Sequence, residues 1–397
     1  MGGRPTSRDV LLLNHNLRGV GTFYRCWHLA RNVARLGFHT TLLTVSPSRR
    51  VVAHFESAGG VRVVETPNLL THMYALGWGY GAIGIPYRIM YALRRKFDIV
   101  HSFDHKPNVL LPALFSKKMK NTPLLADWSD WWGTTADGSG LQERKLGPVV
   151  TLETKMENFI HNEADWVTTI STGLLARATS LGIPSHRITC IPSGAPSDLI
   201  RPLDRNQARA NLGLAPSTFL LTHLGMGEEQ DIATIIPAIL AVRKRRPTVR
   251  LGIIGPVRAA AFDRPETRES VVLFGRVPFD DLAVYLAASD AFVLSLRDTV
   301  VNRTRWPNKF GDYISAGRPV LSSPVGDVPG YVVAHRCGMV WRTPTELASC
   351  IEYLMDHPSE ASEMGERSRQ LAEGELSWAT VAGRFAILYR TVLETAT

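Results

Sequence analysis

Short apolar runs alternate with helix-spaced segments along most of the chain. Val10–Asn14 reads as a strand, residues 22–36 as a helix stopped by Gly37, and Thr40–Val45 as a second strand. A strand–helix–strand opening implies a doubly wound sheet with right-handed crossovers. Further strands are expected at Val61–Val64, Ile99–Ser102, Leu124–Ala126, Trp166–Ile170 and Arg187–Ile191. Pro192, Gly194, Pro196 and Pro202 then mark a linker. A second series comes next, with strands at Phe219–His223, Arg250–Ile254, Val271–Phe274, Ala291–Leu296 and Val320–Ser322. Its helices are expected at 232–245, 280–288 and 309–316, with 345–357 and 378–394 closing the chain. The pattern predicts two α/β domains, 1–198 and 199–376, and a final helical segment, 377–397.

The stretch from Ser289 to Val325 places candidate chemistry on this frame. An apolar strand, a polar loop and a helix with Phe310, Tyr313 and Ile314 on its apolar face lead into the Gly317-Arg318-Pro319 turn. Open α/β sheets bind ligands beyond the carboxyl ends of their strands. The loop there carries Arg303, Arg305 and Lys309, at or just before a helix N-terminus. Cations in that position oppose the helix dipole, so a bound anion such as a diphosphate would resolve the conflict. Gly225 and Gly227 allow close backbone approach to a ligand. In the first domain, Asp127 and Asp130 lie among Trp128, Trp131 and Trp132. Carboxylates bind sugar hydroxyls and aromatic faces stack on pyranose rings.

Composition narrows the classes. The chain has 397 residues, 45% hydrophobic and 20% charged, with a formal net charge of +9. The charge favours anionic partners: nucleotide phosphates or an anionic membrane surface. No zinc-finger spacing, basic-aromatic RNA motif or lysine run supports nucleic-acid binding. Cys26, Cys190, Cys337 and Cys350 have neither metal nor redox spacing, as expected of reduced thiols in a cytoplasmic protein. No run resembles a signal peptide or approaches the ~18–20 apolar residues of a membrane span. The segment 71–96 combines many aromatics with a basic end, Arg94-Arg95-Lys96. It reads either as a core-packed helix after a loop or as a lipid- or acceptor-facing surface.

The 289–325 stretch resembles the donor-binding segment of GT-B glycosyltransferases, most closely family 4. Further likenesses occur in order: Gly19-Val20-Gly21, Asp98–His101, Ala164–Ser171, Ile191–Gly194, Phe274–Pro278 and Tyr285–Asp290. The resemblance implies a GT-B fold, two Rossmann-like domains facing across a cleft, with the C-terminal helix of 377–397 crossing back onto the first domain. It implies a retaining transferase that needs no metal or other cofactor and moves a sugar from a nucleotide-sugar to a glycan, lipid-linked or small-molecule acceptor. It implies donor contacts at Gly21, Gly225, Arg276 and Val277, ribose binding by Asp312, and a histidine, best matched by His105, that reaches the donor sugar. With the reduced thiols and the aromatic-basic segment 71–96, the expectation is a cytoplasmic enzyme, peripheral at the inner face of the membrane if its acceptor is lipid-linked.

Two departures from the family pattern stand out. The family carries two acids eight positions apart, but Thr304 stands eight before Asp312. Either Asp298 is the first acid, displaced by a six-residue insertion, or that acid is lost. Met226 stands where the family has an arginine, and no lysine comes after it in this loop. Arg258, or the group Arg303, Arg305 and Lys309, would then take over the phosphates. Rival readings are another GT-B enzyme, an epimerase or phosphorylase, and a catalytically silent GT-B module.

Overall fold

The computed structural model describes residues 8–69, 79–135, 137, 147–225, 229–257, 262 and 264–395. They divide into two compact units. The first comprises Met1–Ser193, Thr299–Trp306 and Trp378–Thr397; the second comprises Gly194–Asp298 and Pro307–Ser377. The expected boundary near residue 198 thus falls at 193/194. The excursion of 299–306 into the first unit has no counterpart in the hydrophobic pattern.

The first unit opens with β1 (Asp9–Leu17), α1 (Phe23–Arg35), β2 (His39–Val45), β3 (His54–Ala58) and β4 (Val61–Thr66). It continues through α2 (Gly84–Arg94), β5 (Ile99–Phe103), α3 (Pro107–Lys120), β6 (Leu124–Trp128), α4 (Gly147–Glu163), β7 (Trp166–Thr169), α5 (Thr172–Ser180) and β8 (Ile188–Cys190). The sheet order is β3-β4-β2-β1-β5-β6-β7-β8. Its pairs are parallel except β3–β4. The sequence of β3 shows no apolar run because it is an edge strand with mostly exposed side chains.

The second unit holds α6 (Arg205–Asn211), β9 (Phe219–Leu224), α7 (Glu229–Arg243), β10 (Val249–Ile254), α8 (Pro265–Ser270), β11 (Val271–Gly275), α9 (Leu282–Ala287) and β12 (Ala291–Leu294). The five-residue α10 (Val300–Thr304) belongs to the first unit. The second unit resumes with α11 (Asn308–Ser315), β13 (Val320–Ser322), α12 (Val328–Ala334), β14 (Gly338–Val340), α13 (Pro344–Asp356) and α14 (Pro358–Glu373). Its sheet is parallel, in the order β11-β10-β9-β12-β13-β14. The last helix, α15 (Trp378–Thr395), completes the first unit. Its Val381, Phe385 and Tyr389 share a core with Leu29 and Val33 of α1 and with Val10 and Ile99 of the sheet. That shared core removes the apolar stripe of α15 from water.

One buried ion pair ties this layer together. Arg25 on α1 donates from Nε and Nη2 to the two carboxylate oxygens of Asp127, at 2.9 and 2.7 Å. Arg25 also reaches Ile191 O and Ser193 Oγ, at 2.9 and 3.2 Å. Ser129 and Thr168 hydroxyls complete the Asp127 shell at 2.8 and 2.7 Å. Both side chains are essentially inaccessible to solvent. Burial alone would raise the Asp127 pKa, but the Arg25 guanidinium holds it below the usual aspartate value. Removing one member strands the other charge in the core. Asp127→Asn should therefore cost about 3–5 kcal/mol, read from the denaturant midpoint. The double variant Arg25→Met/Asp127→Leu should recover most of that loss, and a single variant as stable as the parent would contradict this account.

Candidate active site, described unit by unit

In the first unit the polar groups collect at the carboxyl ends of β1, β5 and β6. β1 ends in the buried Asn14, His15 and Asn16. Asp104, just after β5, has φ of 61°, a left-handed conformation that aspartate tolerates better than most residues. Its buried carboxyl accepts from Ser129 N at 3.2 Å and Thr22 Oγ1 at 3.3 Å, and lies 3.4 Å from His15 Nδ1. Burial, followed by the nearby Asp130 and Asp127 carboxyls, pushes its pKa well up. Gly21 closes the β1–α1 turn immediately before Thr22.

The loop after β6 is pinned from α4. Glu157 accepts from Trp128 Nε1, Trp132 N and Gly133 N at 2.9, 3.0 and 2.8 Å, and from Arg177 Nη2 at 3.3 Å. Glu153, also on α4, is ion-paired with Lys106 and accepts from Tyr80 OH at 2.7 Å. Trp132 is the hub of the wall. Its ring meets the edges of His15 at 5.5 Å and His105 at 6.2 Å, and the Lys106 ammonium stands 4.3 Å from its centroid. Asp130 remains partly accessible and lies 3.7 Å from Arg305 Nε.

These placements bear on several expected residues. Asp127, expected to meet substrate, is buried with both oxygens hydrogen-bonded, to Arg25, Ser129 and Thr168. His105 is fully buried beside Trp132, not displayed at a surface. His101 is a packed histidine bonded to Tyr389 OH at 2.7 Å, with burial lowering its pKa to about 4. His15, Asp104, Glu153 and Glu157 escaped the sequence reading. The polar Asn14-His15-Asn16 run ending an apolar strand was the available signal for the first of them.

In the second unit the site is largely backbone. Gly225 and Gly255 come directly after β9 and β10, with φ of 114° and 134°. A Cβ on Gly255 would stand 2.2 Å from Gly225 O, so neither a side chain nor ordinary backbone geometry fits there. A Cβ on Gly225 would stand 3.4 Å from Lys309 Nζ, which places the ammonium beside this turn. Tyr313 OH fixes α11 to the strand ends: it accepts from Leu224 N at 2.8 Å and donates to Val293 O at 3.3 Å. Asp312, on the same helix, has its pKa raised to about 7 by burial, against the pull of Lys309. Asp298 and Arg276 are exposed, and Val277 is half-buried after β11. Met226, Gly227 and Arg258 lie outside the described residues.

The three cations expected at the diphosphate are drawn from both units. Lys309 belongs to the second unit with Asp312 and Gly225, whereas Arg303 and Arg305 belong to the first. Residues between Asp298 and Asp312 form α10, capped by Thr299 Oγ1 accepting from Asn302 N at 3.2 Å, where a loop was expected. Among the described residues, no group of three or more His, Cys, Asp or Glu side chains is placed to hold a metal ion.

Sequence models of two families match in tandem: a glycosyl transferase 4-like domain over residues 20–194 and a glycosyl transferases group 1 domain over 218–357. The chain is a family 4-like glycosyltransferase with the GT-B fold. It is similar to a GDP-mannose-dependent alpha-(1-6)-phosphatidylinositol monomannoside mannosyltransferase of Mycolicibacterium smegmatis, 26% identical over 58% of this chain and 63% of that protein. It is 27% identical to a D-inositol 3-phosphate glycosyltransferase of Segniliparus rotundus, over 53% of this chain and 48% of the relative. These matches leave a third to a half of each relative's length unmatched. Among solved structures, sucrose-phosphate synthase from Thermosynechococcus elongatus superposes with a TM-score of 0.73 at 17% identity, covering 98% of this chain and 100% of that one. Anabaena HepE in complex with UDP and glucose gives 0.71 at 14%, covering 97% and 100%.

Asp312 offers a pH test within this glycosyltransferase. An aspartate of pKa about 7 when folded and about 3.9 when unfolded binds the extra proton in the native state between those values. Its contribution therefore favours folding below the unfolded value and is lost as the pH rises toward 7. Asp312→Asn should flatten that decline when thermal stability is followed from pH 4 to 8. An unchanged pH profile would show that Asp312 ionises normally.

Proposed function

We propose that this glycosyltransferase transfers a sugar, with retention of anomeric configuration and without a metal cofactor, from a nucleotide-sugar to a hydroxyl of a sugar-containing or lipid-linked acceptor. The observation that carries this reading is Lys309 standing beside the Gly225–Gly255 turn with Asp312 on the same helix. The glycines let a diphosphate approach the backbone, the ammonium offsets its charge as it leaves, and Asp312 accepts from ribose hydroxyls. The UDP-bound HepE structures of the same fold make UDP a reasonable probe. The first unit supplies the acceptor side, where Asp130 is the accessible carboxylate beside an aromatic wall. The leaving diphosphate itself helps to deprotonate the acceptor, so the protein contributes charge and orientation more than a strong base.

Lys309→Ala should weaken UDP binding by about 1–3 kcal/mol while leaving the fold intact, the range for charge-assisted contacts. Calorimetric titration measures it. Unchanged affinity would remove Lys309 from the donor site, and no UDP binding by the parent would favour a silent module. Nucleotide-sugar turnover without an acceptor would favour an epimerase or related enzyme.

The α2–α3 face supports an acceptor carried by a membrane. On α2, Met90 is 45% exposed, one turn from Arg94; on α3, Phe115 and Met119 are 41% and 65% exposed, also one turn apart. The C-terminal ends of both helices meet where Lys120 Nζ donates to Arg95 O at 2.6 Å. Arg94, Arg95, Lys96, Lys118 and Lys120 surround that junction, all exposed. No helix among the described residues is long and apolar enough to cross a membrane, so the association proposed is peripheral. Each basic residue near anionic lipid contributes about 1 kcal/mol, screened by salt. The protein should sediment with anionic vesicles at low salt and lose this when Arg94, Arg95 and Lys96 are neutralised. Absence of binding at low salt would indicate a soluble acceptor.

A further inference from the structure

The excursion of Thr299–Trp306 is the least expected feature of the chain. The sequence on both sides of it belongs to the second unit, yet the segment itself belongs to the first. It is firmly attached there. Ser171 Oγ donates to Thr304 O at 2.5 Å, and Val300 N donates to Asp137 Oδ2 at 2.8 Å. α5 comes so close that a Cβ on Gly173 would stand 2.9 Å from Thr304 Cγ2 and 3.0 Å from Arg303 O. Such an attachment fixes the C-terminal end of α10 within the first unit.

Arg305 is the next residue along the chain. Its Nη1 donates to Asn302 Oδ1 at 3.2 Å, and its Nε lies 3.7 Å from Asp130 Oδ1. That separation is too long for a hydrogen bond. The two side chains are 31% and 30% exposed, so the pair is weak and open to exchange. A guanidinium fork matches the oxygens of a phosphate. Asp130, suited to accept from a hydroxyl, is followed directly in the chain by Trp131 and Trp132.

We infer that residues 299–306 form an acceptor-recognition element in which Arg305 binds a phosphate group of the acceptor beside the hydroxyl received by Asp130. Arg305 exchanges Asp130 for the phosphate, which frees the carboxylate for that hydroxyl. The acceptor's identity as such rests on the transferase reading, but the binding test does not use transfer. The phosphate belongs either to a free phosphosugar or to a lipid headgroup.

Calorimetric titrations of the full chain with glucose, glucose 6-phosphate and UDP test this, with phosphatidylinositol and phosphatidylcholine vesicles as further arms. Glucose 6-phosphate, or phosphatidylinositol vesicles if the phosphate is a headgroup, should bind at least tenfold more tightly than glucose or phosphatidylcholine. Arg305→Gln should abolish that preference, and Arg305→Lys should restore part of it, with the melting temperature of both variants at the parental value. UDP affinity should be unchanged by Arg305→Gln and weakened by Lys309→Ala, whereas Lys309→Ala should leave phosphosugar or headgroup binding unchanged. Loss of UDP affinity in Arg305→Gln with the phosphate preference intact would assign Arg305 to the donor instead. A parent without any phosphate preference would overturn the inference. A parent that shows the preference but binds no UDP would remove the donor reading and leave this site standing.

Discussion

The Arg25–Asp127 pair is the constraint on which the first unit depends. It joins α1 to the end of β6, and through Ile191 O and Ser193 Oγ it reaches the end of the unit's long N-terminal segment. A buried ion pair is a poor source of net stability, because desolvation offsets most of the attraction. It supplies geometry instead. Asp127 holds the Ser129 hydroxyl, and Ser129 N holds Asp104 in its left-handed conformation beside Thr22 and His15. The ends of β1, β5 and β6 are thereby fixed relative to one another.

The same logic runs through the rest of the first unit's polar wall. Glu157 and Glu153 are fully buried, and each answers a cation and further donors: Arg177 with two backbone amides and an indole, Lys106 with a phenol. Glu157 still has its pKa raised, because burial outweighs those partners. Such a network permits few arrangements, since losing one partner leaves a buried polar group unmet. The loop carrying Trp131 and Trp132 is pinned by those bonds, and Asp130 in it stays partly accessible.

The second unit works differently. Its candidate groups are glycine backbone, one ammonium and one aspartate, beside Tyr313, which hydrogen-bonds to two strands. Backbone suits a diphosphate, whose recognition needs amides and charge more than shape.

The sequence by itself determined much of the architecture, because apolar periodicity is a local property. β1 and β9 each contain an apolar run, β12 is apolar throughout, α11 and α15 carry one apolar stripe each, and glycine follows β9 and α11 closely. Those signals yielded two α/β domains, a closing helix, and Lys309 and Asp312 beyond a strand's carboxyl end. β3 and α14 stayed illegible, being an exposed edge strand and a mostly polar helix. Only the tertiary structure decided which charges meet. Asp127 and Asp130 look equivalent three residues apart, yet one faces Arg25, 102 positions away, and the other faces Arg305. Nor could any local pattern show that Arg303 and Arg305 leave the unit that holds Lys309. Hydrophobic spacing records which face of an element is buried, whereas the partner of a polar side chain depends on how distant elements pack.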